Sequence, residues 1–125
     1  MFFEIPGRLP NLNDIISAAK KGRGKYQPYA IMKEQYTEEV AWCAKGLPSF
    51  EGEVDINILW HEPNNRRDID GIMAGAKFIL DGLVMAGIIK DDSQKYVKSI
   101  NHRFEIDRKN PRIEVEIKEV MNWKK

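Results

Sequence analysis

Two pairs of aspartates flank an apolar stretch of the sequence. The segment RRDIDGIMAGAK (66–77) contains Asp68 and Asp70, separated by one residue and preceded directly by two arginines. The segment KDDSQ (90–94) contains a second, adjacent pair. Carboxylates at this density repel one another when ionised, and a bound cation removes that repulsion. The pattern therefore indicates a metal site.

Such a site has the components needed to cut a phosphodiester. Hydrolysis of this stable anion requires an activated water and a positive charge near the phosphoryl oxygens, and Mg²⁺ supplies both. Asp68 and Asp70 are the first candidate ligands, and a third carboxylate is expected from a distant part of the chain. Lys77 is expected to meet the phosphate or orient the attacking water. Arg66 and Arg67 are expected to hold the arriving backbone.

The same residues also have an ordinary structural interpretation. Aspartate is a favoured helix N-cap, so Asp68 can cap a helix whose dipole suits Asp70. Lys77 and Asp81 have the spacing of a surface ion pair on a helix. The later pair, Asp91–Asp92, suits a turn. The sequence leaves both interpretations open, and the combination of these features in one short segment favours the metal site.

A basic segment near the start is the second candidate contact with nucleic acid. The net charge is +1, from 20 basic and 19 acidic residues, so phosphate binding must come from local patches. The segment KKGRGKYQPY (20–29) interleaves basic and aromatic side chains, and Tyr26 is expected to contact a sugar or base. Its basic residues are Lys20, Lys21, Arg23 and Lys25. A solvated loop is the alternative.

Composition predicts one folded domain in a reducing compartment. The 125 residues leave little room for a second domain, and 42% apolar residues can build a core. The single cysteine, Cys43, cannot form an internal disulfide, which suits the cytoplasm, and it is expected to be buried. The first residues lack the pattern of a signal peptide. The apolar stretch Gly71–Ile89 carries Lys77 and Asp81, which are costly in lipid, so we expect a helix buried in protein and no membrane partner.

The hydrophobic pattern predicts an α+β domain with about four strands in a mixed sheet packed with helices, in the order β-α-α-β-α-β-β. The expected elements are a strand at FFEIPG, a helix at LPNLNDIISAAKK capped by Asn11 or Asn13, a helix from about Tyr29 to Lys45, a strand at EVDINILWHE, a helix from about Ile69 to Gly87, and strands at KYVKSINHRFEID and RIEVEIKEV. The last two strands are expected to form an antiparallel hairpin across RKNPR.

The long apolar helix should carry one thin polar line. At about 100° per residue, Asp70, Lys77 and Asp81 fall on one side of it. The apolar side chains that flank this line are Phe78, Met85 and Ile89. They predict a second buried face, formed either by a subunit interface or by packing against the protein's own first helix. His61 and His102 have no metal-ligand spacing and are expected to be non-catalytic, while Asp107 and Trp123–Lys125 are expected at the surface.

The segment RRDIDGIMAGAKFILDGLVMAGIIKDDSQKYV (66–97) resembles the RusA family of Holliday junction resolvases, small endonucleases common in phages and prophages. The family pattern is a basic stretch, Asp-x-Asp-Asn, a helix with a lysine, Asp-Ala/Gly-Leu and a final Asp-Asp. Here Asp68 and Asp70 form the first pair, Lys77 is the lysine, Asp81–Leu83 is the DGL motif and Asp91–Asp92 is the last pair. The segment PGRLPNLNDII also resembles the start of the phage branch.

The resemblance implies a Mg²⁺-dependent homodimer that nicks two strands of a four-way junction symmetrically, with Mn²⁺ able to substitute. Its essential aspartates correspond to Asp68, Asp70 and Asp92, and its important lysine to Lys77. Two departures exist: the lysine stands about one helical turn further from Asp70, and Gly71 replaces the usual asparagine. The two-fold symmetry of a junction suits a two-fold dimer with two active sites.

Three functions follow. The leading one is a structure-selective DNA endonuclease of recombination and repair. The alternative is a junction-binding protein of the same fold whose catalysis is weakened by Gly71. The third is a scaffolding domain whose aspartates cap helices. Divalent metal distinguishes them, since the nuclease needs it, the binder holds junctions without it and the scaffold does neither.

Overall fold

The structure is a computed structural model that describes residues 1–120. It contains four strands and four helices in the order β1 (Phe2–Pro6), α1 (Leu12–Lys20), α2 (Pro28–Cys43), β2 (Val54–Glu62), α3 (Ile69–Met73), α4 (Ala76–Met85), β3 (Val97–Ile106) and β4 (Arg112–Glu119). The predicted class and element order are confirmed, with the fifth element divided in two. The prediction for Trp123–Lys125 lies outside the described residues.

The four strands form one mixed sheet in the order β1-β4-β2-β3. β4 runs antiparallel to both of its neighbours, β1 and β2, whereas β2 and β3 are parallel. Alternate residues of β2 and β4 are buried, including the predicted set Ile113, Val115 and Ile117. They belong to one apolar cluster with Val40 of α2 and Phe78 of α4, so these helices cover one face of the sheet.

The predicted hairpin of the last two strands is wrong. β3 and β4 lie on opposite sides of β2, and the connection between them passes the end of β2, where the Asp107 N–H donates to the Glu62 carbonyl over 2.8 Å. The turn itself forms as expected, because the Asp107 carboxylate accepts the N–H groups of Lys109 and Asn110. Strand alternation fixes which face is buried but says nothing about which neighbour a strand pairs with.

The predicted long helix breaks after Met73 and resumes at Ala76. At the break the Gly75 N–H donates to the Ile72 carbonyl, a tighter step than the α-helical one. A Cβ at Gly75 would lie 3.2 Å from both Leu9 Cβ and Trp60 Cη2, so glycine permits this close approach. The prediction of one continuous helix is therefore wrong, because Asp70 lies on α3 while Lys77 and Asp81 lie on α4. Asp70 and Lys77 are both exposed, whereas Ile72, Ala76, Ile79 and Leu83 on the predicted apolar side are buried.

The second face of α4 is covered from within the chain. Phe78 is fully buried and its ring centroid lies 5.8 Å from that of Tyr36 on α2. Ile89 is also buried, whereas Met85 is exposed. The subunit interface predicted through Phe78 and Ile89 is therefore wrong, and the covering helix is α2, the second helix, not the first.

Three smaller predictions are resolved. Asn11, not Asn13, caps α1, and its side chain and that of Asp14 form a reciprocal capping box. Cys43 at the end of α2 is half-buried instead of buried, and burial raises the pKa of its thiol, with Glu39 adding to the effect. Across residues 1–120 no helix is both long and apolar enough to cross a lipid bilayer.

Candidate metal centre and nucleic-acid interface

The first aspartate pair lies where the chain leaves β2 and enters α3. Asp68 occupies the N-cap position with an extended backbone, but its carboxylate makes no capping hydrogen bond within the described residues. Asp70 stands in the first turn, and its Oδ1 accepts the Gly71 N–H over 2.9 Å. Both aspartates are exposed. The capping interpretation of Asp68 therefore does not describe its side chain, and both carboxylates face solvent.

The arginines before this pair have different surroundings. Arg67 is half-buried, and its guanidinium donates to the Leu9 carbonyl (3.0 Å) and to Asp14 Oδ2 (3.4 Å). Arg66 is exposed, and its backbone N–H donates to Asn64 Oδ1. Arg67 thus ties the loop to the start of α1, whereas the Arg66 guanidinium is the more accessible of the two for a phosphate.

The end of β2, which precedes the Asp68–Asp70 pair in the chain, carries buried polar residues that sequence reasoning missed. Glu62 is only 4% exposed and its Oε1 accepts a 2.6 Å hydrogen bond from Arg8 Nη2. His61, also buried, contacts the Glu114 carboxylate through Nε2. The sequence feature that could have revealed them is a histidine followed by a glutamate at the end of a strand rich in apolar residues. Buried charge persists only when it is paired, so these contacts fix the strand from which the Asp68 loop departs.

Lys77 and Asp81 form the ion pair expected for their spacing. Lys77 Nζ lies 3.7 Å from Asp81 Oδ2, and Lys33 Nζ of α2 lies 4.0 Å from the same oxygen. The Lys77 side chain is nearly half exposed. Its ammonium therefore lies at the surface of the first turn of α4, next to the break that follows Asp70's helix.

The second aspartate pair lies in the loop between α4 and β3. Asp91 and Asp92 are both exposed. A hydrogen bond from Ser93, and then one from the Asp92 backbone, lowers the pKa of the Asp91 carboxyl. Asp91 therefore behaves as a turn residue, as the structural interpretation predicted for it.

The topology separates the two pairs within one chain. The Asp68 loop follows the Glu62 end of β2, whereas the later pair precedes β3, which starts beside Val54 because the two strands are parallel. The Phe50 N–H donates to the Ile88 carbonyl, which places the end of the crossover at the Val54 end. α4, with its ten residues, is about 15 Å long and lies between the pairs. Accordingly, residues 1–120 contain no group of three or more aspartate, glutamate, histidine or cysteine side chains arranged around a metal position.

The basic segment forms an ordered turn between α1 and α2. Arg23 and Tyr26 exchange backbone hydrogen bonds of 2.7 and 2.8 Å, and Gly24 has a positive φ of 55°. Gln27 Nε2 donates to the Gly24 carbonyl and closes the turn. Lys20, Lys21 and Lys25 are exposed along it, with Arg23 also on the outside. The predicted basic residues are therefore all exposed, at the end of α1 and in the hydrogen-bonded turn that follows it.

A family model for endodeoxyribonuclease RusA matches residues 10–118 of the sequence. The chain belongs to the RusA family. The matched range begins after β1 and includes the basic turn, both arginines and both aspartate pairs. No curated protein matches the sequence significantly.

Membership of the RusA family identifies the chain as an endodeoxyribonuclease that resolves Holliday junctions, with branched DNA as its substrate. Nucleases of this family generally use a divalent metal. Exposed carboxylate oxygens are the ligands that Mg²⁺ prefers, and Asp68 and Asp70 supply them at one place. Their exposed carboxylates fit the oxygen-donor chemistry of such an ion, and no third aspartate, glutamate, histidine or cysteine of residues 1–120 is grouped with them.

Both histidines have contacts inside the fold. Beyond the His61–Glu114 contact, His102 Nδ1 accepts the Trp60 indole N–H over 2.9 Å, and its ring plane is nearly parallel to those of Trp60 and Phe104, with centroids 6.0 and 6.4 Å away. Burial lowers the pKa of His102, which keeps the ring neutral and Nδ1 able to accept. These contacts tie β3 to β2 near the Glu62 end.

Proposed function

We propose that the chain works as a homodimeric, Mg²⁺-dependent Holliday junction resolvase that nicks two strands of a four-way junction symmetrically. The observation that carries this proposal is the exposed pair Asp68 and Asp70 at the start of α3, inside the range that matches the family. Arg66, two residues before Asp68 in the chain, is also exposed and supplies a contact for the phosphate backbone. Mn²⁺ is expected to replace Mg²⁺ because it accepts the same oxygen ligands.

The metal cage is completed by Asp92 of a second copy. Asp68 and Asp70 lie at the Glu62 end of β2 and Asp92 at its Val54 end, so one chain offers two of the three ligands at the first place and only one at the second. A two-fold axis that sets the α4 helices of two copies side by side and antiparallel brings the opposite ends together. Each dimer then has two identical sites, which is what paired nicks require.

Exposed apolar side chains support this placement of a second copy. Ile69 and Met73 on α3 are 60% and 38% exposed, and Met85 at the end of α4 is 55% exposed. Leu80 and Val84 are half-buried between them. Apolar side chains along both ends of one segment suit an interface that runs the length of that segment.

The chain's own residues have separate tasks in the cut. When bound, the metal activates the attacking water and balances charge on the phosphoryl oxygens. Lys77, oriented by its ion pair with Asp81, contributes a positive charge to the phosphate being cut. The basic turn, through Lys20, Lys21, Arg23 and Lys25, holds a DNA arm by its phosphates.

A junction-binding protein with weakened catalysis is the second candidate. Gly71 stands where the family usually has asparagine, and its N–H binds Asp70 Oδ1. A Cβ at Gly71 would meet no atom of the described residues within 4 Å, so an asparagine fits there without displacing the fold. The missing amide thus removes a possible contact with DNA or with a water near the metal.

The test is cleavage of an end-labelled four-way junction and a matching linear duplex in millimolar Mg²⁺. We expect paired, symmetric nicks in the junction alone. Asp70→Asn and Asp92→Asn should each lower cutting by more than about 100-fold, since losing even an outer-shell partner of a metal ligand costs roughly 10–100-fold. Asp91→Asn is the matched control, because Asp91 is bonded within its own turn and should be dispensable.

Each other outcome has a definite meaning. Normal cutting by Asp70→Asn contradicts the proposed metal site. A junction-specific gel shift without cutting by the wild-type protein favours the weakened binder, and Gly71→Asn should then restore cutting. Neither binding nor cutting of junctions contradicts both candidate functions.

A further inference from the structure

A groove of about 510 Å³ opens between α1, the basic turn and α2. Its lining includes Tyr26 and Tyr36, here called the aromatic wall, and Arg8, Lys21 and Arg67, here called the cationic wall, together with the Asp14 carboxylate that pairs with Arg67. The size lies in the range of sites for small ligands, roughly 300–1,000 Å³. Aromatic rings and cationic side chains in the lining of one groove suit a ligand that has both a flat ring and a negative charge.

The aromatic wall is held in place before anything binds. Tyr26 is fixed through its backbone by the paired hydrogen bonds to Arg23, while its side chain remains 58% exposed. Pro28 at the start of α2 restricts the backbone directly after the turn. Tyr26 therefore lines the groove from a backbone that is already ordered, so its binding to a ligand would cost little backbone entropy.

The cationic wall adjoins the proposed metal centre. Arg67 is held by the Leu9 carbonyl and Asp14, and it directly precedes Asp68 in the chain. Arg8 is held by Glu62, yet its Nε is buried with no hydrogen-bond acceptor among residues 1–120. Lys21 is exposed at the mouth of the groove. A phosphate entering between Lys21 and Arg67 would belong to a nucleotide close to the one that is cut.

We infer that this groove accepts one unpaired nucleotide from the branch point of the junction, with its base against Tyr26 and its phosphate near Lys21 and Arg67. The inference rests on the proposed function, because it names how the same enzyme selects its substrate. Base–aromatic stacking tolerates any sequence, since every base has a π-face. A continuous duplex must first unstack and unpair a nucleotide to fill the groove, whereas a branch point supplies one at lower cost. The groove therefore discriminates branched DNA from linear DNA.

The test measures DNA affinity by fluorescence anisotropy in EDTA, so that no DNA is cut. Three duplexes are compared: a perfect duplex, one with a single bulged nucleotide, and one whose bulged nucleotide lacks its base. Wild-type protein should bind the bulged duplex about 10-fold more tightly than the perfect one, the size expected for one stacked base. The base-free bulge bends equally well but should lose this preference.

Variants assign the preference to the groove. Tyr26→Ala should remove the preference for the bulge, and Tyr26→Phe should keep it, because the ring is retained. Lys21→Ala should weaken binding to all three duplexes and lower the salt dependence by about one phosphate contact, with the preference unchanged. Trp42→Ala is the matched control, since Trp42 is an aromatic residue 72% exposed near the far end of α2.

The failure of this inference can be told from failure of the proposed function. Equal affinity of wild-type protein for the bulged and base-free duplexes overturns the groove assignment, whether or not junctions are cut in Mg²⁺. A preference that survives in Tyr26→Ala overturns it as well. A base-dependent preference lost in Tyr26→Ala supports the groove even in a protein that binds junctions without cutting them.

Discussion

The two ends of β2 differ in how firmly they hold the aspartates beside them. At the Glu62 end, His61 and Glu62 are buried and paired with Glu114 and Arg8. At the Val54 end, the loop that carries the second aspartate pair is exposed from residue 90 to residue 95. One pair therefore follows a strand end that is fixed by buried contacts, whereas the other lies on an accessible loop that a second molecule can reach.

The ion pairs at the two ends have correspondingly different energetic weight. Lys90 and Glu51 at the Val54 end lie 2.9 Å apart, but their side chains are 52% and 84% exposed, so solvent screens the pair. Removing one partner of the Arg8–Glu62 pair would instead leave a buried charge without compensation. The Glu62 end is therefore the part of the site whose geometry the monomer itself maintains.

Mixing two inactive variants tests whether the two ends of β2 act within one molecule or between two molecules, and it should produce the strongest change in activity. Asp70→Asn and Asp92→Asn should each be inactive alone, but mixing them should restore junction cutting. A mixed dimer has one site that contains both substitutions and one site that contains neither. In an equal mixture about half of the dimers are mixed, so about a quarter of the wild-type sites return. The measurement is junction cleavage after the two variants are unfolded and refolded together.

Two controls make this result specific. Asp68→Asn mixed with Asp70→Asn should remain inactive, because both substitutions affect the same end of the molecule. Cutting in a mixed dimer should nick one strand only, which separates a restored single site from contaminating wild-type enzyme. An inactive mixture of Asp70→Asn with Asp92→Asn would mean that each chain builds its own site, contrary to the separation seen along β2.

A middle-sized effect concerns α4, the helix that spans the distance between the two ends. A Cβ at Gly82 would lie 2.5 Å from Val40 Cγ1, so glycine allows α4 to pack closely against α2. Gly82→Ala should lower the free energy of unfolding by about 1–3 kcal/mol through overpacking. Gly71→Ala is the matched control: it has open space and should be neutral or stabilising by up to about 1 kcal/mol. Urea unfolding of both variants provides the measurement, and equal stability of the two would mean that α4 is not closely packed there.

Much of the scaffold is predictable from sequence because local physics determines it. Alternating Ile113, Val115 and Ile117 identify β4, and the capping residue types at Asn11 and Asn13 locate the start of α1, where the structure selects Asn11. The strand order is not predictable in this way. β3 and β4 would show the same local sequence patterns whether they paired with each other as a hairpin or lay on opposite sides of β2, as they do here. The break at Gly75 also depends on contacts with Leu9 and Trp60, which are far away in the sequence.

In the candidate site, too, contacts between residues far apart in the sequence could not be predicted. Residue types identified Asp68, Asp70 and the later pair, but their closeness in sequence says nothing of their separation along α4. The pairing of Arg8 with Glu62 was missed because its partners are 54 residues apart. Lys77 and Asp81 were predictable as an ion pair because both belong to one helix. Local spacing thus predicts contacts within an element, and only the topology predicts contacts between elements.

A weaker effect is expected from His102 near the Glu62 end of β2, which should make the stability of the protein depend on pH. Both histidines of the chain lie there, His61 on β2 and His102 beside Trp60 on β3. Burial lowers the pKa of His102 below its ordinary value of 6.5. Above that value the ring is neutral in both the folded and the unfolded chain. As the pH falls below it, the unfolded chain binds a proton that the folded chain does not, so stability decreases.

His102→Phe separates this contribution from that of other groups. Phenylalanine keeps a ring between Trp60 and Phe104 but cannot accept the indole N–H, so the variant should be less stable near pH 8 by about 1 kcal/mol. Since the variant has no ring to protonate, its deficit should shrink as the pH is lowered to about 5.5. Urea unfolding across this pH range measures the difference in the free energy of unfolding between the wild-type protein and the variant. Groups that both proteins share contribute equally to the two values and drop out of this difference. A deficit that stays constant would mean that His102 is protonated equally in both states, and that the contact with Trp60 does not depend on the neutral ring.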